Sequence, residues 1–85
     1  MEANFKSNDP ITLRCRGCNT MVATHPATVC NDIEYFVETA FNIHFGLVSD
    51  EGEMTLYCQR CGIIVGDCNR YSIVKRFYKN LVIRC

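Results

Sequence analysis

The sequence predicts a mostly β fold with little helix, a small domain of short strands drawn together at two cysteine knuckles. Three observations carry this expectation. Apolar and polar residues alternate over short runs bounded by turn residues. Two Cys-x-x-Cys pairs, Cys15/Cys18 and Cys58/Cys61, lie far apart in the chain, each behind such a run. The chain has 85 residues, enough for one domain only. A domain of this size buries only about 60% of its unfolded surface, so its core alone gives thin stability and something else must staple it.

Taken in order, residues 1–10 are polar and end in Asn8-Asp9-Pro10, a turn or linker signal, and are expected to form a flexible N-terminal segment before a single domain over 11–85. Ile11-Thr12-Leu13-Arg14 alternates and runs into Cys15, a strand feeding the first knuckle. Met21-Val22-Ala23-Thr24 is the returning strand, expected to stop before His25-Pro26, and 28–30 form another short strand before the Asn31-Asp32 turn. Residues 33–45 read two ways. Ile33, Phe36, Val37, Ala40, Phe41 and His44 fall on one helical face, whereas Phe41, Ile43 and Phe45 alternate as in a strand. The favoured reading is an irregular or short helical start followed by a strand. Residues 49–53 form a charged loop around Gly52, 54–57 a strand entering the second knuckle, and 63–65 the strand leaving it. Segments 71–77 and 81–84 read as further strands, with Lys79-Asn80 near a bend.

Composition excludes several classes. An apolar content of 48%, with five Phe and four Tyr, is too high for a disordered tail. No run approaches the roughly 18 apolar residues of a membrane span. The seven cysteines are an odd count, and Met1-Glu2-Ala3-Asn4-Phe5-Lys6 has no apolar core of a signal peptide, so a secreted disulfide scaffold is not expected. Free thiols in a reducing compartment, cytoplasmic or nuclear, are the expectation. Net charge is zero but unevenly spread. Residues 31–53 hold Asp32, Glu34, Glu38, Asp50, Glu51 and Glu53 with no Lys or Arg, while 57–85 hold Arg60, Arg70, Lys75, Arg76, Lys79 and Arg84 against Asp67 alone. Such segregation predicts a basic face suited to polyanions, unless ordinary solvated charges merely happen to segregate.

The cysteines point to a metal. Zinc takes four sulfur or nitrogen ligands in a tetrahedron, and a Cys-x-x-Cys pair on a tight turn supplies two thiolates from one loop. Cys15-Arg16-Gly17-Cys18 and Cys58-Gln59-Arg60-Cys61-Gly62 therefore predict one structural Zn²⁺ held by Cys15, Cys18, Cys58 and Cys61. Gly62, directly after the second thiol, suits a knuckle that needs positive φ. A redox Cys-x-x-Cys would sit at a helix N-terminus in a βαβ frame, which the pattern lacks. Four thiolates close the shell and leave no position for a water, so the metal is expected to be structural. With no Ser/His/Asp arrangement, glycine-rich phosphate loop or H-E-x-x-H, the domain itself is not expected to be an enzyme. Cys30 and Cys68 are expected as buried small hydrophobes, and His25 and His44 as packing residues.

Leu13-Arg14-Cys15-Arg16-Gly17-Cys18, then Tyr57-Cys58-Gln59-Arg60-Cys61-Gly62, Val65-Gly66 and Tyr71 with a basic-apolar run to the end, resemble the C-terminal regulatory domain of RIG-I-like receptors and Dicer-related helicases. Thr28-Val29-Cys30 followed by Phe36 is similar to the middle of that domain, and the likeness spans roughly 11–84. It implies an antiparallel tent clamped by one zinc that binds RNA ends, preferring duplexes and often a 5′-triphosphate, and that restrains a parent ATP-dependent helicase core in cis, in antiviral sensing or RNA interference. The chain departs from the pattern where Val65 fills the place of a Trp, where Lys79 stands one residue from the family's last-strand lysine, and where Ser49-Asp50-Glu51-Gly52-Glu53 replaces basic residues. An RNA face of Arg60, Arg70, Lys75, Arg76 and Lys79 follows as an expectation, with salt-dependent binding through released counterions. Tyr78, or its neighbour Phe77, would be the platform for a terminal base pair, since strand alternation puts one of them outward.

Two other readings stand beside this one. A yippee- or cereblon-like tent also joins two Cys-x-x-Cys knuckles but holds protein segments or small ligands; the lack of Trp counts against the cereblon version. A zinc-stabilised scaffold with no ligand beyond its parent protein is the third.

Overall fold

A computed structural model describes residues 10–26 and 30–84. The expected flexible segment lies outside the described residues except for Pro10, which opens the first strand; 27–29, which include all but Cys30 of the strand expected over 28–30, and Cys85 also lie outside. Eight strands follow in order: β1 (Pro10–Cys15), β2 (Met21–Pro26), β3 (Glu34–Val37), β4 (Ile43–Phe45), β5 (Glu53–Cys58), β6 (Ile64–Asn69), β7 (Lys75–Tyr78) and β8 (Val82–Arg84). No helix occurs among the described residues. All pairings are antiparallel, in a three-stranded sheet ordered β2-β1-β8 and a five-stranded sheet ordered β3-β7-β6-β5-β4.

The alternation read from sequence sets the faces. In β1, Leu13 and Cys15 turn inward while Thr12 and Arg14 are only half-buried. In β3, Tyr35 and Val37 are buried between partly exposed Glu34 and Phe36. These side chains meet Leu56, Cys58, Val65, Cys68, Phe77, Val22, Ala23 and Val82 in one core shared by both sheets. Cys68 behaves as the expected buried hydrophobe, and burial pushes its thiol pKa up. Cys30 does not: it is exposed and touches β3 through a single bridge to Tyr35.

The helical start expected within 33–45 is absent. Asn31 Oδ1 accepts from the N–H groups of Ile33 and Glu34, at 2.8 and 2.6 Å, a local arrangement that also begins helices. The chain nevertheless extends, because Glu34–Val37 pairs along β7 and buries every second side chain. Residues 40–42 then bind the edge of β2, with a bridge from Ala40 to Ala23 and Phe41 N–H donating to Val22 O at 2.8 Å. The expected stop of the second strand before His25-Pro26 is also corrected. β2 runs through Pro26, opposite Pro10, where neither imino nitrogen has a ladder bond to give. The strand expected over 71–77 begins only at Lys75; 70–74 turn.

Gly66 in β6 shows how tightly the large sheet closes. A Cβ there would lie 1.9 Å from the carbonyl oxygen of Arg76 and 3.0 Å from Phe77 Cα, backbone atoms that cannot swing aside. Gly66→Ala should therefore force β6 and β7 apart and destabilise the domain by about 1–3 kcal/mol, read as a lowered midpoint in urea unfolding.

Candidate metal centre

Each knuckle is a tight turn at the end of a strand, and the two are built alike. In the first, Cys15 N–H donates to Thr20 O and Asn19 N–H to Cys15 O, both at 2.8 Å; in the second, Cys58 N–H donates to Ile63 O and Gly62 N–H to Cys58 O, again at 2.8 Å. The residue after the second cysteine has positive φ in both, 66° at Asn19 and 84° at Gly62. The expected role of Gly62 is thus present. Asn19 fills the same role in the first knuckle, because a short polar side chain tolerates the left-handed region better than most.

The turns bring their thiols together across the two sheets. Cys15 Sγ lies 3.5 Å from Cys61 Sγ, and Cys18 Sγ lies 3.5 Å from Cys58 Sγ. All four sulfurs fall within 4.8 Å of one another. A tetrahedron of bonds of about 2.3 Å sets sulfurs about 3.8 Å apart, so the cluster has room for one tetrahedral metal ion. All six described cysteines are free thiols. Cys15 and Cys58 are buried, Cys18 is half-buried and Cys61 exposed. Gly17 N–H donates to Cys15 Sγ at 3.3 Å, and Thr20 Oγ1 lies 3.1 Å from Cys18 Sγ. Burial pushes the Cys15 thiol up to about 12, whereas the Thr20 hydroxyl and N–H hold Cys18 down at about 6. Four anionic sulfurs this close repel one another, and a divalent cation at their centre is the charge that relieves them.

The six residues expected to contact RNA are dispersed. Arg60 lies on the second knuckle, lining a shallow cleft of about 310 Å³ with Thr20, Asn42 and Gln59. Arg70 sits at the opposite end of the large sheet, its guanidinium 5.4 Å from the ring centroid of Tyr71. Lys75 Nζ donates to Glu38 O at 2.9 Å, and Lys79 Nζ lies 5.1 Å from the centroid of Tyr35. Arg76 donates through Nε to Asp67 at 2.6 Å and through Nη2 to Glu53 at 2.9 Å, while the Tyr78 hydroxyl donates to the other oxygen of Asp67. Phe77 is fully buried, so of the two expected platforms one is core and the other is tied to Asp67. The most exposed aromatic among the described residues is Tyr71, at 81%. Alternation could not have found it, because it lies in the 70–74 turn. His44 is exposed, its ring centroid 6.1 Å from that of Tyr57.

No protein-family model and no curated protein matches this chain. Fold and site therefore define its class by themselves: an all-β domain of two antiparallel sheets with a four-cysteine cluster able to hold a metal at their junction. No helix among the described residues is long and apolar enough to cross a membrane.

Two measurements follow. The purified chain should carry one metal ion by native mass spectrometry, and chelation should unfold it. A structural zinc contributes on the order of 10–16 kcal/mol in small peptides, as much as a whole domain's stability of about 5–15 kcal/mol; native circular dichroism after full metal removal would contradict the clamp. On the outer face, burial first and the Asp67 carboxylate second push Tyr78 up to about 12. Since the folded value lies above the unfolded one, this contribution is complete below pH of about 10 and is lost as pH rises through about 12. Ultraviolet titration should show one late tyrosine, which Tyr78→Phe removes.

Proposed function

We propose that this chain is a zinc-clamped RNA-recognition domain, not catalytic in itself, that serves a parent ATP-dependent RNA helicase in the cytoplasm. The observation that carries the reading is the four-cysteine cluster built from two distant knuckles, whose own and neighbouring residues resemble the regulatory domain of RIG-I-like receptors. Zinc is the metal that four thiolates in a tetrahedron suit best, with iron–sulfur chemistry the main competitor for such a set. The closed shell makes its work structural.

For RNA, the turn between β6 and β7 is the part of the surface with the right chemistry. Tyr71 is largely exposed and carries Arg70 beside its ring. Gly52 lies against the pair; a Cβ there would come within 3.0 Å of both side chains. An aromatic ring offers a face to any terminal base pair, and a guanidinium answers the adjoining phosphate. Arg76 is not part of this contact, because Asp67 and Glu53 already neutralise it. Asp50 and Glu51 stand in the neighbouring turn with no ion pair among the described residues, so a highly charged 5′-triphosphate is disfavoured and recognition rests on stacking over the blunt end.

The test is a fluorescence-anisotropy titration of the metal-loaded chain with a short blunt RNA duplex, bearing 5′-hydroxyl or 5′-triphosphate, at low and physiological salt. Binding should weaken with salt and show no triphosphate advantage. Tyr71→Ser should weaken it by at least about fivefold, given about 1–3 kcal/mol per stacked base. No binding at either salt, with metal content intact, would remove the RNA reading and leave the clamp.

A further inference from the structure

β4 is an edge strand of the large sheet, and among the described residues it has no neighbour on its outer side. Its pairing with β5 sets Ile43 opposite Cys58 and Phe45 opposite Leu56, on the face that carries the core. The chain keeps beside β5 beyond the strand, with Gly46 N–H donating to Thr55 O at 2.8 Å and Ser49 N–H to Glu53 O at 2.9 Å. The N–H groups of Leu47 and Val48, between those bonds, have no partner among the described residues. Ile43, Phe45 and Leu47 follow a period of two, so a row of apolar side chains runs from the core rim into solvent. Phe45 is 48% exposed and Leu47 97%.

Exposed edges are ordinarily protected by Lys, Pro or a covering element. Residues 43–48 contain neither Lys nor Pro, and among the described residues no strand lies beyond them. The other three edges are better guarded: β2 is met by residues 40–42, β3 by the bridge from Cys30 and by Asn31, and β8 carries the charged Arg84. A single exposed leucine is ordinary; an exposed apolar row on an open, unprotected edge is an interaction surface.

Charge identifies the occupant. From residue 39 to residue 59 the chain has Asp50, Glu51 and Glu53 and no Lys or Arg. Glu53 is engaged by Arg76, whereas Asp50 and Glu51 have no ion pair among the described residues. A second copy paired through the same segment would bring the same acids and, between residues 39 and 59, no Lys or Arg to meet them. We propose that the β4 edge docks an extended peptide segment of alternating apolar and basic residues, which adds as a sixth strand to the large sheet. Its backbone bonds to the outer side of β4 and to the free N–H groups beyond it. Its apolar side chains cover Phe45 and Leu47, and its Lys or Arg side chains, reaching past the strand end, face Asp50 and Glu51.

The experiment uses the full metal-loaded chain and a fluorescein-labelled peptide, acetyl-Val-Lys-Val-Lys-Val-Lys-amide, at about 0.15 M salt. Three results are expected together: saturable binding, slowed amide exchange at Leu47 and Val48, and weakening by about tenfold or more in Leu47→Lys. The Leu47 side chain is almost wholly exposed, so this substitution removes little burial, and metal content checks that the variant folds. With the unaltered protein, the same peptide N-methylated at alternate residues keeps its side chains but loses edge donors and should not bind. Four results would each overturn the proposal: equal binding of the N-methylated peptide; equal binding of a Val-Glu peptide; no binding up to on the order of 1 mM; or a dimer in sedimentation that Leu47→Lys dissolves, which would give the edge to a second copy. None depends on RNA, so failure here and failure of the RNA reading are told apart.

Discussion

The junction of the two sheets is the constraint on which the rest of this molecule hangs. Cys15 and Cys61 are 46 positions apart in the chain, and Cys18 and Cys58 are 40 apart, yet their sulfurs lie 3.5 Å from one another. Closing a loop of that length costs entropy that an 85-residue chain can hardly recover from apolar burial alone. A metal shared by the four thiols would offset it at one point, and that point lies at the end of β1 and the end of β5, the strands through which each sheet enters the core. The matched hydrogen bonds of the two knuckles, and the matched left-handed residues Asn19 and Gly62, mean that one local solution is used twice. The rest of the core, from Leu13 to Phe77, then needs only to fill the space between sheets already held in register.

What the sequence made legible follows from how local each signal is. The four-cysteine set and the strands beside it depend on spacing within a few residues, and they stand where spacing puts them. Asn19 was invisible because an asparagine after a cysteine has no spacing to distinguish it; only its φ betrays it. The helical face across 33–45 was a true pattern with the wrong owner. Phe36 and Ala40, and Val37 and Phe41, do lie a helical step of four apart, and Asn31 caps as it would for a helix, but pairing with β7 and the approach of 40–42 to β2 outweigh a local preference. Cys30 was misjudged for the same reason, since composition cannot tell a bridge at a sheet rim from a core position.

Charge misled for a different physical reason. Acids in 31–53 and bases in 57–84 look segregated when the chain is read as a line. Antiparallel pairing folds the basic strand β7 back beside β6 and near the start of β5, so that Arg76 meets Asp67 and Glu53. Asp67, the lone acid of the basic stretch, sits at the centre of this cluster and binds Tyr78 as well. Charge neutralisation therefore takes place on the outer face of the large sheet, where a basic surface was expected, and leaves Arg70 and the acids of the 50–51 turn without an ion pair among the described residues, at the sheet end away from the knuckles.

That end holds both proposed contacts, and their closeness has a thermodynamic consequence. The β5–β6 hairpin runs from the second knuckle to Gly52, so a metal held at one end would fix the frame from which Leu47 and Tyr71 project at the other. Gly52 N–H donates to Ser49 O, Arg70 N–H donates to Gly52 O, and the rings and stems of Arg70 and Tyr71 lie against Gly52. A basic strand on β4 would neutralise Asp50 and Glu51 and so relieve the repulsion they exert on a phosphate near Arg70. Linkage then requires the reverse: RNA bound at Tyr71 would strengthen the hold of the turn on a cationic strand by the same factor. The sign of that coupling is fixed by the acids that replace basic residues in this turn. A chain with lysines there would hold RNA directly and repel the strand, whereas in this one the two proposed contacts would favour each other.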